Sequence, residues 1–560
     1  MEGVMKTCRR ACWAIAFLGL LAGVATGQNP GAIWQRYQTP EDAGWSPEKL
    51  RTAKEAYDSM DAAAFLVIYD GKVLVSWGDV TRRYMCHSVR KSFLSALYGT
   101  HVDDGSIDID DTLAELGIDD KQTLSEGEKQ ASLRDMLKAR SGVYHPAAYE
   151  TPQMKRLRPG RGSHEPGTFW YYNNWDFNTL CTVLEEQTGT DIFEDFGRRI
   201  AEPIAMEDFR LIDGYHHYEP ESMHPAYPFK MSARDMARFG LLFLRGGIWN
   251  GDQVISEAWI EESTTPYSEV SENVGYAYMW WTRDSERWGR VYTARGYGGH
   301  IIGVVPGEDV VYVQRVDTYA GRSVGGNETA TLLDLILDAR VSEPSPDSDL
   351  GDFLPPVAEY ASAWPEGVDP DLYVREYPTR GSRLAIERLG DDLLLTSSDF
   401  GNYRVFAITE FKFFVEDMQQ FAVIEFDGRE PVGLTVHHTS AVADLYSSLV
   451  GEGLDSALML YRDLEDADPE SRLFTEAALN SLGYQLLGTD RVTEAIAVFK
   501  LNVEVFPEAF NTYDSLGEAY MISGDYRLAT ENYRRSLELN PDNANAEQML
   551  KRIEDQRPTD

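Results

Sequence analysis

Disulfides, basic charge and long apolar runs are scarce in this 560-residue chain, and each shortage narrows what the protein can be. Four cysteines are present, and Cys8 and Cys12 lie in the first dozen residues, which leaves Cys86 and Cys181 for the rest of the chain. Two cysteines make no disulfide framework, so stability must come from a packed core. Whether Cys86 and Cys181 pair is not legible in the sequence. Lysine and arginine number 52 against 91 aspartates and glutamates, a formal charge of -39. With no basic stripe to neutralise phosphates, nucleic acid and anionic membrane surfaces are excluded as natural partners. No phosphate loop or dinucleotide fingerprint occurs. His216, His217 and His224 stand in a loop setting without a helical His-x-x-x-His arrangement, so no metal or other cofactor is expected.

The apolar run AIAFLGLLAGVA follows Lys6, Arg9 and Arg10 and is followed by Ala25 and Gly27. Roughly a dozen residues fall short of the ~20 that a spanning helix needs. Residues 1–27 therefore read as a cleaved signal peptide, and the protein as exported to a periplasmic or extracellular space, with no membrane contact after cleavage.

Length predicts several domains. Residues 28–340 mix strand-like and helical patterns. AAFLVIYDGKVLVSWGDV reads as a hairpin across Asp70-Gly71 and HIIGVVPGEDVVYVQ as another turning at Pro306 to Asp309, while SARDMARFGLLFLRGG has helical spacing. Strands at both ends with helices between predict an α+β domain closed by an antiparallel sheet. Residues 341–370, rich in Pro, Asp and Ser, read as a linker, and short alternating segments in 371–445 read as a small all-β barrel or sandwich. From 454 to 560 the chain repeats: Leu482-Gly483, Ala495, Phe499 and Pro507 recur as Leu516-Gly517, Ala529, Tyr533 and Pro541. That ~34-residue period predicts all-α tetratricopeptide-like helix pairs, flanked by LDSALMLYRDLED and the tail from Ala544 as caps. Such repeats offer a surface for a protein or peptide partner.

The chemistry concentrates in HSVRKSFLSAL, where Ser88 and Lys91 lie three apart at the start of a segment with helical apolar spacing. A helix stacks them on one face, and its N-terminus favours a developing oxyanion. Lys91 then takes the hydroxyl proton if burial lowers its pKa. Ser46-Pro47-Glu48-Lys49 has the same spacing. There, capping explains it: serine at the N-cap, proline at the first helical position.

Two further segments decide between these readings. EPGTFWYYNNWDFNTL and TARGYGGHIIGVVP follow in an order that resembles the class C β-lactamase and penicillin-binding serine hydrolase family, closest to its 6-aminohexanoate dimer hydrolase branch. DMLKARSGVYHP and SARDMARFG add to the likeness, which covers roughly residues 40 to 335. The resemblance implies Tyr172 as phenolic proton relay, Asn174 as hydrogen-bond partner of Lys91, and the N–H groups of Ser88 and Tyr297 as oxyanion hole. It implies Gly296 as the place where substrate lies against a strand. In the family's Lys-Thr-Gly or His-x-Gly position this chain has Ala294, Arg295 and Gly296. Arg295 is the remaining candidate for holding a substrate carboxylate, with a solvent-facing arginine as the alternative. Tyr144 and His145 are candidates for the cleft wall. The expected activity is metal-independent cleavage of an ester or amide in a small-molecule or peptide acyl substrate, through a Ser88 acyl-enzyme. β-Lactamase or D-amino acid peptidase activity, a sensor that stays acylated, and a silent scaffold presenting the repeats are the alternatives.

Overall fold

The computed structural model describes residues 29–346, 348–364, 366–378, 383–437, 439–467, 475–488 and 491–555. Residues 1–27, read from the sequence as a signal peptide, lie outside the described residues. Among the described residues no helix is long and apolar enough to cross a membrane.

Asp70 and Gly71 both have positive φ, 49° and 71°, as a two-residue hairpin turn demands. They join strands Ala62–Tyr69 and Lys72–Gly78 inside a ten-stranded sheet. His300–Val305 and Val310–Val316 form the second hairpin, and Val310–Val316 pairs with Ala62–Tyr69, so distant parts of the chain close the sheet. The named pairs are antiparallel, apart from a parallel contact between Gln35–Tyr37 and Lys72–Gly78. Alternation along each strand divides the core in two. Phe65, Val67 and Tyr312 meet the helices Pro47–Asp58 and Gly326–Leu337 on one face. Leu66, Ile68 and Val313 meet the helix Ala233–Leu244 on the other, in one cluster with Phe93, Leu97 and Trp175 of the helices Arg90–Asp103 and Asn174–Thr188. The α+β reading holds, and it sets the helices Arg90–Asp103 and Asn174–Thr188 side by side.

Within the stretch read as a linker, Leu350–Asp352 pair instead with Gln35–Tyr37 at the sheet edge, and Phe353 is buried. An open edge accepts any extended backbone, so composition was a poor guide there. The β-module is a seven-stranded antiparallel sheet running from Arg375–Tyr377 to Glu430–His437. Arg375 of its first strand reaches Pro431 O and Glu430 of its last, which makes it a nearly closed barrel around Leu395, Tyr403, Phe413 and Ile424. The helix Ser440–Gly451, whose first residues fell inside the expected β-domain, follows the last strand. Its Val442, Tyr446 and Leu449 share a core with Val423 of the barrel and with the repeats, docking one to the other.

The helical pairs use the small-against-aromatic logic of their repeat. A Cβ on Gly483 would lie 2.4 Å from the Phe499 ring, and one on Gly517 3.0 Å from that of Tyr533. Ala495 and Ala529 are fully buried where the paired helices meet.

Candidate active site

Ser88 is aimed by a turn rather than by a regular helix start. Tyr84–Met85 pair with Lys230–Met231, Cys86 N–H donates to Phe229 O at 2.8 Å, and the chain then bends through His87. His87 has φ 49° although it is not glycine. Such a conformation costs about 1–3 kcal/mol and persists only where neighbours enforce it. They do. The buried Arg315 donates to Tyr84 O at 2.5 Å, and His87 Nε2 lies 2.8 Å from Thr318 Oγ1. Gly296 ends the strand Gly289–Gly296 against this turn, where a Cβ would stand 2.5 Å from Cys86 O. A 3₁₀ turn over His87–Val89 holds Ser88, and the helix Arg90–Asp103 continues from it.

Lys91, one turn on, is 2% exposed. Its Nζ lies 2.9 Å from Ser88 Oγ, 2.6 Å from Tyr172 OH and 2.9 Å from Asn174 Oδ1. Asn174 is anchored in turn by donating to Tyr149 O at 2.7 Å. Its neighbour Asn173 caps the helix Asn174–Thr188 and donates to Val143 O and to the buried Asp176, so the two asparagines divide structure and site between them.

No carboxylate forms an ion pair with Lys91 among the described residues. Burial, with the Arg90 guanidinium beside it, holds its amine well below the ordinary lysine value. Burial pushes the Tyr172 phenol up to about 12, against smaller opposing effects from Ser88 and Arg90. Tyr172 is therefore a phenol at neutral pH, and burial favours the amine of Lys91 over its ammonium. His87 is pushed down to about 3 by burial and by Arg315 and Arg90, so it is a neutral imidazole.

Arg90 was hidden in plain sight between the two motif residues. It is 2% exposed, donates to His87 O, and lies over the rings of Tyr149 and Tyr227 at 5.6 and 4.9 Å. Its Nε and Nη2 are buried without a hydrogen-bond partner among the described residues.

A cavity of about 360 Å³ opens beside Ser88, and its lining joins Ser88, Tyr172 and Asn174 to Tyr149, Tyr319 and Asp399. Asp399 comes from the barrel, at the tip between strands Asp392–Ser397 and Gly401–Ala407. That tip is locked in place. Ser398 O lies 2.6 Å from His217 Nδ1, and Gly401, at φ 85°, leaves no room for a Cβ beside the Tyr215 ring. Behind it, buried Lys230 donates to Asn402 O at 2.5 Å, lies 3.5 Å from the Tyr403 ring centroid and faces Asp213 at 3.3 Å. Arg83 and Arg210 complete the junction by pairing with Asp417 at 3.1 and 3.2 Å.

Of the remaining sequence candidates, Tyr297 lines the cavity and packs edge-on to His87. Arg295 does not line it. Alternation turns Ala294 into the core and Arg295 to the other face, where its Nε donates to Thr293 Oγ1 at 2.9 Å. Tyr144 and His145, expected at the cleft wall, are buried away from it. Tyr144 OH meets His164 Nδ1 at 3.2 Å, while His145 packs on Trp175 and lies 3.4 Å from Glu128. The cleft wall is made instead by Tyr149, Thr151 and Met154 a few residues further on. Cys86 and Cys181 are both free thiols.

Residues 51–318 match the family model described as Beta-lactamase, and residues 510–543 match that of the Tetratricopeptide repeat. A D-aminopeptidase of Brucella anthropi is 29% identical over 190 residues, covering 29% of this chain and 35% of the relative. The chain thus spans about a third of the length of the curated relative it matches. Among solved structures, a Bacillus anthracis protein provisionally assigned as a 6-aminohexanoate-dimer hydrolase has 20% identity and a TM-score of 0.40, with 56% of this chain and 89% of that one covered. A penicillin-binding protein homologue from Caulobacter crescentus has 12% identity and a TM-score of 0.41, with 53% and 99% covered.

Proposed function

Because this chain carries a Beta-lactamase family domain and, near its C-terminus, a tetratricopeptide repeat, we propose that it is an exported serine hydrolase that cleaves an ester or amide through a Ser88 acyl-enzyme. The observation that carries this is the contact of Lys91 Nζ with Ser88 Oγ, Tyr172 OH and Asn174 Oδ1, without a carboxylate to hold the amine charged.

A neutral amine has two N–H donors and one lone pair. Asn174 Oδ1 only accepts, so it takes one N–H and orients the group. The lone pair receives the Ser88 proton as Oγ attacks the acyl carbonyl. Tyr172, still a phenol, gives its proton to the leaving oxygen or nitrogen and takes one from Lys91 in exchange. Deacylation runs the same path backwards: water attacks the ester, its proton passes to Tyr172 and Lys91, and a proton returns to Ser88 Oγ. The N–H groups of Ser88 and Tyr297 serve as the oxyanion hole. Arg90 opposes protonation of Lys91, so its cation supports the base without touching the reacting atoms.

Ala294 leaves the strand beside Ser88 without a side chain to hold a β-lactam carboxylate, and Arg295 stands outside the cavity lining. A missing charge-assisted bond is worth about 1.5–3 kcal/mol, or ten- to a hundredfold. The protein is therefore expected to prefer p-nitrophenyl butyrate over nitrocefin in kcat/KM, with a pre-steady-state burst of one equivalent followed by turnover. A burst with no turnover would make it an acylated sensor, and a wide preference for nitrocefin would make it a β-lactamase.

A further inference from the structure

The helix Asn174–Thr188 begins at the active site and carries a second constellation one to two turns before its other end. Cys181 and Glu185 are four residues apart, so they share a helix face. His216 faces them from the segment after Asp213. One donor atom from each, a sulfur, a carboxylate oxygen and an imidazole nitrogen, lie within 4.8 Å of one another.

The surroundings of these three side chains also have a pattern. His216 Nε2 is 2.9 Å from Glu185 Oε1, while its Nδ1 is 3.9 Å from Asp191 Oδ2. Glu185 Oε1 is further held by the Ile192 N–H at 3.0 Å. An imidazole with one nitrogen toward the donors and the other toward a carboxylate, and a ligating carboxylate pinned by a backbone N–H, is the outer arrangement that orients metal ligands. Cys181 is 1% exposed, whereas the side chains of Glu185 and His216 are 24% and 20% exposed. The cluster is thus walled on one side and open to solvent on the other, which gives an ion its path and a water its place.

A dication at this cluster would bind the Cys181 thiolate and release the thiol proton to water.

We propose that Cys181, Glu185 and His216 form a structural site for a borderline-soft divalent cation, zinc in the first instance, with water as the fourth ligand. Sulfur, nitrogen and carboxylate donors on a tetrahedral ion are the set zinc takes. The ion ties the segment around His216 to the helix that presents Asn174. Next in the chain, His217 stacks on Tyr149 at 4.5 Å and meets Ser398 of the barrel tip, so the same ion braces the wall of the cavity.

Cobalt(II) titration of the full chain, read by absorption, tests this. The expected result is a thiolate-to-cobalt charge-transfer band that saturates at one equivalent and is displaced by zinc. In the protein without residues 1–27, Cys181→Ser should lack the band although Cys86 remains. Zinc at a hundredfold excess over its Kd should raise the melting temperature of the wild type by on the order of 5 °C, and that of Cys181→Ser not at all. Glu185→Gln and His216→Gln, at partly exposed positions, should weaken zinc binding by at least about tenfold. No band in the wild type, a band that survives Cys181→Ser, or zinc affinity unchanged in both Glu185→Gln and His216→Gln would overturn the proposal.

Discussion

Ser46 and Lys49 have the same spacing as Ser88 and Lys91, and the two pairs come to opposite ends. Ser46 caps the helix Pro47–Asp58, accepting from Lys49 N–H, and the exposed Lys49 side chain reaches Asp338 O at 2.9 Å. Nothing there is buried, strained or deprived of a partner. Ser88 instead follows a left-handed His87, and Lys91 is buried against Tyr172 and Asn174 with a guanidinium, that of Arg90, one residue before it. A capping site lowers its own free energy within one turn. The catalytic candidate is costly locally and is held by elements from four distant parts of the chain. Spacing brings a serine and a lysine together, but surroundings decide whether the lysine is a base.

The contrast can be broken by mutation. The largest expected effect is Ser88→Ala, which should abolish labelling by a fluorophosphonate, read by intact mass, while Ser46→Ala labels fully. Retained labelling of Ser88→Ala would remove Ser88 as nucleophile. Lys91→Met should lower kcat by about 10² to 10⁴ and, unlike most losses of a polar contact, raise the melting temperature. Burial in the native chain favours the neutral amine. Below the ordinary lysine value of 10.5 the unfolded chain holds one proton more, so stability falls with falling pH until the buried amine itself is protonated. Methionine removes that cost, and the stability of the variant should depend less on pH across that window. Unchanged stability in Lys91→Met would mean that the native amine is charged.

Asn174→Asp sharpens the comparison by giving Lys91 the carboxylate it lacks. Its ammonium form is then favoured, so the rising limb of kcat/KM against pH should move to higher pH, with a loss of about tenfold at neutrality for each unit of displacement. An undisplaced profile would detach Lys91 from the base role. The smallest effect belongs to the ordinary pair: Ser46→Ala should cost about 1 kcal/mol in denaturant unfolding and leave turnover as it was.

That Ser88, Lys91, Tyr172 and Asn174 meet was legible because they sit in short local phrases whose order carries information. So were the hairpins and the helical repeats, whose pairing partners are near in the chain or fixed by a period. What stayed hidden depends on long-range placement. Asp399 is more than three hundred residues from Ser88 in the chain, and nothing in its own hairpin distinguishes it from any other turn aspartate. Tyr144 and His145 sit beside the true wall residues in the chain, and only the local backbone path decides which of them turn inward. Arg90 was overlooked for a different reason, since a motif written as Ser-x-x-Lys declares its middle residues irrelevant. The Cys181, Glu185 and His216 group could not be found by reading histidines alone, because two of its members are one helical turn apart and the third arrives from a loop.

Asp399 at the barrel tip has a consequence for how such a chain is engineered. Sequence divides the first domain from the β-module, but the wall of the cavity beside Ser88 belongs to both. Cutting the chain at the apparent border would leave Ser88 intact and take away part of the cavity wall. Conversely, exchanging only the turn that bears Ser398 to Gly401 would alter one side of the cavity without touching Ser88, Lys91, Tyr172 or Asn174.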